Sequence, residues 1–237
     1  MTVIVVSGTG TEIGKTVVTA ALAASFRAQG RSVAVVKPAQ TGMAAGEDGD
    51  VAEVIRLGGD VTGVELARFP DPLAPATAAR RARMAPLPPS QIAEAVEKVA
   101  AEHDLVLVEG AGGLLVRFDD DGGTLADVAL RLGAPVLVVV AAGLGTLNAT
   151  TLTGEALRAR GLEQLGVVVG SWPAEPDLAA RCNLAELSDA AGAPLLGAVP
   201  QGAGSLAPAA FRAQARSWLA PRLGGFWDAD SFTAAVG

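Results

Sequence analysis

Lys15 and Thr16 follow Gly14, the last residue of a loop, Gly8-Thr9-Gly10-Thr11-Glu12-Ile13-Gly14, which itself follows the apolar run Thr2-Val3-Ile4-Val5-Val6. β-forming residues, a glycine-rich turn and Gly-Lys-Thr in that order are the layout of a phosphate-binding loop. Loop amides and the first amides of the next helix lack partners of their own and point at an anion; Lys15 adds a charge, and the Thr16 hydroxyl is a ligand for Mg²⁺. The usual spacing places the first glycine where this chain has Thr9; here it comes one position earlier, at Gly8. A strand–turn–helix joint using glycines only for tight packing is the plainer alternative. It gives no reason for a lysine and a threonine beside the last glycine, so the pattern favours a nucleotide.

Three further segments carry chemistry where apolar runs end. Lys37 closes SVAVV, and Glu109 closes DLVLV and opens Glu109-Gly110-Ala111-Gly112-Gly113. A charge at the end of a buried strand is costly unless an opposite charge meets it. Lys37 is therefore either beside an anion or snorkelling to the surface, and Glu109 is a metal ligand, a helix cap or half of a salt bridge. Mg²⁺ on a nucleotide takes one or two carboxylates with a Ser/Thr oxygen and water. Thr16 and Glu109 fit, and Asp50 is the candidate for the other carboxylate, with an ordinary N-cap as its alternative. The third segment, Gly145-Thr146-Leu147-Asn148, opens a helix after a buried strand. Its amides suit a second anion, or Thr146 or Asn148 is simply the helix cap.

The elements that position these residues alternate. Strands are expected over Thr2–Val6, Ser32–Val36, Asp104–Val108, Pro135–Ala141, Leu165–Gly170 and Leu195–Val199. Helices are expected over Lys15–Gln29, from near Asp50, over Ser90–Glu102 with Ser90 as cap, and over Thr124–Leu132 with a capping-box variant. Further helices follow at Asn148–Arg160, Asp177–Ala191, Pro208–Leu219 and Asp228–Ala235, while 69–89 reads as irregular or short helical. Strands apolar on both faces and separated by helices give a doubly wound, mostly parallel α/β sheet with helices on both faces, a single domain over 1–237 of the P-loop NTPase type. Its C-terminal helical pieces, from about residue 205, pack onto it. Ligands in such sheets gather at the carboxyl ends of the strands, which is where the charged segments lie.

Composition narrows the partners. A net charge of −7 argues against nucleic acid. No apolar run is long enough to span a membrane, and the N-terminal run is too short and uncharged for a signal peptide. One cysteine, Cys182, cannot form an internal disulfide, which fits the cytoplasm. One histidine, His103, leaves no material for histidine triads or zinc sites.

GTGTEIGKT, KPAQTG, the acidic EDGD, VEGAGGLLV and LGTLNATTLT resemble, in order and spacing over residues 1 to about 200, the ATP-dependent dethiobiotin synthetases of biotin biosynthesis. The resemblance implies a homodimer that converts 7,8-diaminononanoate, CO₂ and ATP, with Mg²⁺, into dethiobiotin, ADP and phosphate. Carried over by position, Glu12, Ile13, Gly14, Lys15, Thr16 and Val17 would hold the phosphates. Gly110, Ala111 and Gly112 would flank the nucleotide beside Glu109, and Thr16, Asp50 and Glu109 would ligate Mg²⁺. Thr11, Lys15, Lys37 and Thr41 would line the diamine and carbamate site, with Thr11, Lys15 and Lys37 catalytic. Gly145, Thr146, Leu147 and Asn148 would bind the distant carboxylate across the dimer interface, and Gly170, Ser171, Pro200, Gln201 and Gly202 would meet the base. The chain departs from the family at Gly10, at Ala149, and at Ser171-Trp172-Pro173, where an adenine-reading Asn segment is common; this opens the site to other nucleoside triphosphates. Two rivals share the style of the sheet. Nucleotide-switch ATPases usually carry a lysine where this chain has Thr9 and lack KPxxTG. Cobalamin-type amidotransferases need a cysteine nucleophile with a histidine base, and no histidine follows Cys182.

Overall fold

The computed structural model describes residues 2–236; Met1, at the head of the phosphate-loop stretch, and Gly237 lie outside the described residues. The strands are β1 (Thr2–Gly8), β2 (Val33–Lys37), β3 (Gln40–Thr41), β4 (Thr62–Glu65), β5 (Arg68–Phe69), β6 (Leu105–Glu109), β7 (Val136–Val140), β8 (Gln164–Trp172) and β9 (Leu195–Pro200). The helices are α1 (Lys15–Arg27), α2 (Asp50–Gly58), α3 (Pro75–Ala82), α4 (Pro89–Ala100), α5 (Leu125–Leu132), α6 (Thr146–Ala159), α7 (Leu178–Ala191), α8 (Pro208–Gln214) and α9 (Ala229–Val236). Seven strands form one parallel sheet in the order β4-β2-β6-β1-β7-β8-β9, and β3 and β5 pair separately.

Every residue of β2, β6 and β7 is buried. Such strands are apolar on both faces because helices cover both, with α1 against α2, α4 against α5 and α6 against α7. Each Val or Leu taken out of water there contributes about 1.5–3 kcal/mol, so the strands are held firmly and their ends are fixed points. Those ends carry Gly8, Lys37 and Glu109 to one rim. The register Val6↔Glu109 sets the acidic residue beside the start of the phosphate loop.

Several boundaries differ from the sequence-based expectation, each for a local reason. Lys37 and Glu109 are the last residues of their strands rather than the first beyond them. Ser90 is not the cap of α4: Pro88 takes that position and Pro89 the first helical one, where its fixed φ suits the turn and its missing N–H is no loss. α6 begins at Thr146, so Asn148 lies in its first turn. β8 runs on to Trp172, making Ser171 a strand residue. The stretch 69–89, expected to be irregular or short helical, is so: between the end of β5 at Phe69 and the start of α4 at Pro89 it holds the short helix α3. β4, with the unremarkable sequence TGVE, was not expected; it is a partly exposed edge strand placed by β2, not by its own apolar content. The capping box of α5 is present, with Thr124 N–H donating to Asp127 Oδ2 at 2.8 Å.

Candidate functional site

The strand ends open onto a cleft of about 810 Å³. Its floor holds four side chains expected from the sequence. The Thr16 hydroxyl donates to Glu109 Oε1 at 2.9 Å, and Lys37 Nζ donates to the same oxygen at 2.9 Å. Lys37 Nζ also donates to the Gly110 carbonyl at 3.1 Å and lies 2.5 Å from Asp50 Oδ2. Lys37 is 3% exposed, so it does not snorkel; Glu109 is 1% exposed and ion-paired. Asp50 is the first residue of α2, not its N-cap, which is Gly49.

Burial would push the Lys37 amine down, but Glu109 and then Asp50 outweigh it, and the amine is held above its ordinary range. Lys15 goes the other way. Burial lowers it first and repulsion from Lys37 second, against weaker support from Glu109 and Asp50. Its Nζ donates to the Gly10 carbonyl at 2.6 Å, closing the loop on itself. Two lysines at one rim thus differ in environment: Lys37 sits between carboxylates, and Lys15 is short of negative charge. The second is an anion-seeking arrangement.

The loop takes its shape from its neighbours. Gly14 has φ +92°, a left-handed conformation that glycine adopts without strain, and Glu12 is one of two described non-glycine residues with positive φ. A Cβ on Gly14 would lie 2.3 Å from the Gly170 carbonyl oxygen, so the loop rests directly on β8. Loop residue Thr11 lies beside Gly112: a Cβ on that glycine would be 3.7 Å from Thr11 Oγ1.

The donor set fits Mg²⁺. Glu109 Oε2 is buried with no hydrogen-bond partner, while Oε1 already serves Thr16 and Lys37. A buried carboxylate oxygen left without a partner is costly, and a cation beside Thr16 and Asp50 would satisfy it.

Thr11, Glu12, Gly14, Lys15, Thr16, Val17, Lys37, Thr41, Asp50, Glu109, Ala111 and Gly112 all line this cleft. Ile13 and Gly110 adjoin it, the latter through its carbonyl. Gly170, Ser171, Pro200, Gln201 and Gly202 do not line it, but two of these segments come close to the loop: Gly170 beneath Gly14, and the chain after Gly202 beside α1, where a Cβ on Gly204 would be 3.2 Å from Val17 Cγ2. Trp172 is buried and in T-shaped contact with Phe232 of α9, at 5.5 Å between centroids, so it presents little surface on which a base could stack. Gly145, Thr146, Leu147 and Asn148 lie outside the cleft of their own chain. Neither Thr146 nor Asn148 caps α6; the Thr146 hydroxyl is buried without a partner, and Asn148 is exposed.

Sequence reasoning gave no role to Gln40, Met43, the lip Pro72-Leu73-Ala74-Pro75, or Val116, all of which line the cleft. The proline-rich lip had no period to read. Gln40 could have been noticed as a polar residue inside KPAQTG.

A family model described as an AAA domain matches residues 2–209. The chain is 68% identical over 232 residues to the ATP-dependent dethiobiotin synthetase BioD of Streptomyces coelicolor, covering 98% of each chain. It is 69% identical over 227 residues to the BioD of Saccharopolyspora erythraea, covering 96% of this chain and 99% of that one. Among solved structures it is similar to a ParA family ATPase from Chlorobium tepidum TLS, with a TM-score of 0.56, 15% identity and coverage of 94% of this chain and 95% of that one. The MinD cell division protein of Aquifex aeolicus also gives 0.56, at 13% identity over 91% of this chain and 95% of that one. At such identities these two likenesses concern the fold, which the nucleotide-switch rival shares. With its phosphate loop, Lys37 and Glu109 at one rim, and this identity over nearly its whole length, the chain belongs to the ATP-dependent dethiobiotin synthetase family of P-loop enzymes.

Proposed function

We propose that the protein is a dethiobiotin synthetase, joining 7,8-diaminononanoate and CO₂ into dethiobiotin at the expense of ATP, in the cytoplasm and as one folded unit over 1–237. The observation that carries this is the cluster of Lys37, Glu109, Thr16 and Asp50 beside Lys15, in one cleft. One amine of the diamine attacks CO₂ and gives up a proton, and the resulting carbamate attacks the γ-phosphate, displacing ADP and giving a carbamic-phosphoric anhydride. The second amine then closes the ring and expels phosphate. Each step gathers negative charge and none needs a protein nucleophile, which suits a site built of two lysines and no histidine. Fixed cations aimed at developing charge, together with positioning, supply most of such a catalyst's effect. Thr16, Asp50 and Glu109 would hold Mg²⁺, which when bound neutralises phosphate charge. Thr11, Lys15, Lys37 and Thr41 face the reacting end of the substrate; Glu12 to Val17, with Gly110 to Gly112, hold the phosphates.

Gly145 to Asn148 serve the distant carboxylate of the substrate in a partner's cleft, a reading supported by their not lining their own. A C₂ homodimer makes that possible, placing one chain's Asn148 near the other's Lys37. Exposed Leu144, Leu115 and Leu152 support it; the last two line a shallow hollow with Thr9. Sedimentation showing an active 23.7 kDa monomer overturns the dimer.

Phosphate release with Mg-ATP tests the activity. It is expected to require both the diamine and CO₂; equal turnover without the diamine overturns the reading in favour of a nucleotide switch.

A further inference from the structure

Gln40 is 3% exposed, and an amide that deep must find partners. Its Oε1 accepts the backbone N–H of Asp50 at 2.9 Å, and its Nε2 reaches the Thr41 carbonyl at 3.4 Å. Asp50 opens α2, whose N-cap, Gly49, has no side chain to give. The first amides of a helix are unpaired unless something outside meets them. Here that group comes from ten residues upstream, from a different strand.

Gly49 is buried and extended, at φ −103°, so its lack of a side chain answers to space rather than to backbone conformation. A Cβ there would lie 2.7 Å from Gln40 Oε1 and 3.0 Å from the Arg68 guanidinium. Residues 44–48, which lead into α2, are exposed; Arg68 holds them through the Ala44 and Glu47 carbonyls, at 3.0 and 2.7 Å, and the N–H of Asp50 is left to Gln40. Gln40 itself is well anchored: its N–H donates to the Ala67 carbonyl at 2.9 Å, and β3 pairs it with Arg68. A rigid line therefore runs from β3 through the Gln40 amide to the Asp50 backbone. The Asp50 carboxylate then lies 2.5 Å from Lys37 Nζ.

We infer that Gln40 is a positioning residue for the metal: it caps α2 and so holds the Asp50 carboxylate toward Lys37 and the bound cation. The inference rests on Asp50 being a metal ligand. Groups that orient a ligand typically change metal affinity by about 10–100-fold when removed.

The test measures Mn²⁺ binding by electron paramagnetic resonance in the presence of a non-hydrolysable ATP analogue, with turnover against Mg²⁺ concentration alongside. Gln40→Leu removes the acceptor, and Gln40→Asn keeps an amide but falls one methylene short, a second variant should the first fold poorly. Each is expected to weaken Mn²⁺ binding about tenfold and to raise the Mg²⁺ requirement, with metal-free binding of the analogue unchanged. Asp50→Asn is expected to weaken metal binding at least as much, and Gln40→Leu added to Asp50→Asn to cost nothing more. A folded Gln40 variant with wild-type metal affinity, or a fully additive double variant, overturns the role of Gln40 alone. Asp50→Asn with unchanged metal affinity overturns the metal reading of Asp50, and with it the role assigned to Gln40.

Discussion

Gly14 and Gly170 stand back to back: a Cβ on Gly14 would meet the Gly170 carbonyl oxygen at 2.3 Å, and one on Gly170 would meet the Ile13 carbonyl oxygen at 2.0 Å. The obstacle in both cases is backbone, which cannot swing aside as a side chain can. Gly170→Ala leaves every phosphate-contacting residue in place, yet it forces β8 and the loop apart. Such overpacking costs about 1–3 kcal/mol, and the displaced loop amides should weaken nucleotide binding by about tenfold or more. Calorimetric binding of ATP together with thermal unfolding measures both. Wild-type values in both would mean that the loop does not depend on β8 for its shape.

Lys37 and Glu109 make a charge pair whose removal separates stability from catalysis. Lys37→Met leaves Glu109 buried with only the Thr16 hydroxyl on its bonded oxygen, and breaking such a pair typically costs about 3–5 kcal/mol. Adding Glu109→Gln neutralises the stranded charge and should recover most of that loss in denaturant unfolding. On the role proposed for Lys37, turnover should not recover, because the cation it supplies to the reacting anions is gone, a loss of about 3 kcal/mol in kcat. A Lys37→Met protein with near wild-type kcat would return Lys37 to a purely structural role.

Asp104 ties the start of β6 to the residue before β2. Its Oδ2 accepts the Ser32 N–H at 2.8 Å and the Ser32 hydroxyl at 2.9 Å. The backbone bond first, and the hydroxyl second, hold its carboxyl below the usual range. A carboxyl depressed by folding stabilises the fold above its unfolded pKa, about 3.9, and that contribution is lost as pH falls through the lower folded value. Asp104→Asn should therefore be less stable than the parent at neutral pH, with the gap closing on acidification below about pH 4. A gap that stays constant from pH 7 to 3 would assign the effect to something other than ionisation.

Lys15 and Thr16 were legible from the glycine-rich loop before them, and Lys37 and Glu109 because each closes an apolar run and a sheet apolar on both faces fixes where its strands end. β4 was not, since TGVE has no buried face of its own and exists by pairing with β2. The Gln40–Asp50 bond was hidden for a related reason: its geometry depends on β3, β5 and Gly49 meeting in space, and no local period marks that. Likewise nothing in Ser171-Trp172-Pro173 marks Trp172 as buried; its contact with Phe232, sixty residues on, does.

The covered Trp172 bears on the base. Adenine is told apart by groups that pair with its amine and ring nitrogens, and a site built that way rejects a mismatched base because buried polar groups are left unpaired. Here the segments near α1 offer little of that kind. Trp172 packs under Phe232, Pro173 has no N–H, and Ser171, Pro200, Gln201 and Gly202 are exposed. The Gln201 N–H is already committed to the Trp172 carbonyl at 2.7 Å. What remains is the Ser171 hydroxyl, the Gln201 side chain and a few backbone groups open to water, where a lost hydrogen bond is replaced by solvent. On the proposed reading the triphosphate end, by contrast, meets Gly14, Lys15 and Thr16, which are blind to the base. Other nucleoside triphosphates, pyrimidine ones included, should thus support turnover within about tenfold of ATP, a gap of only about 1.4 kcal/mol. Competition among ATP, GTP and CTP measures it, and a preference for ATP beyond about a hundredfold, about 2.7 kcal/mol, would require a base-reading group that this rim does not present.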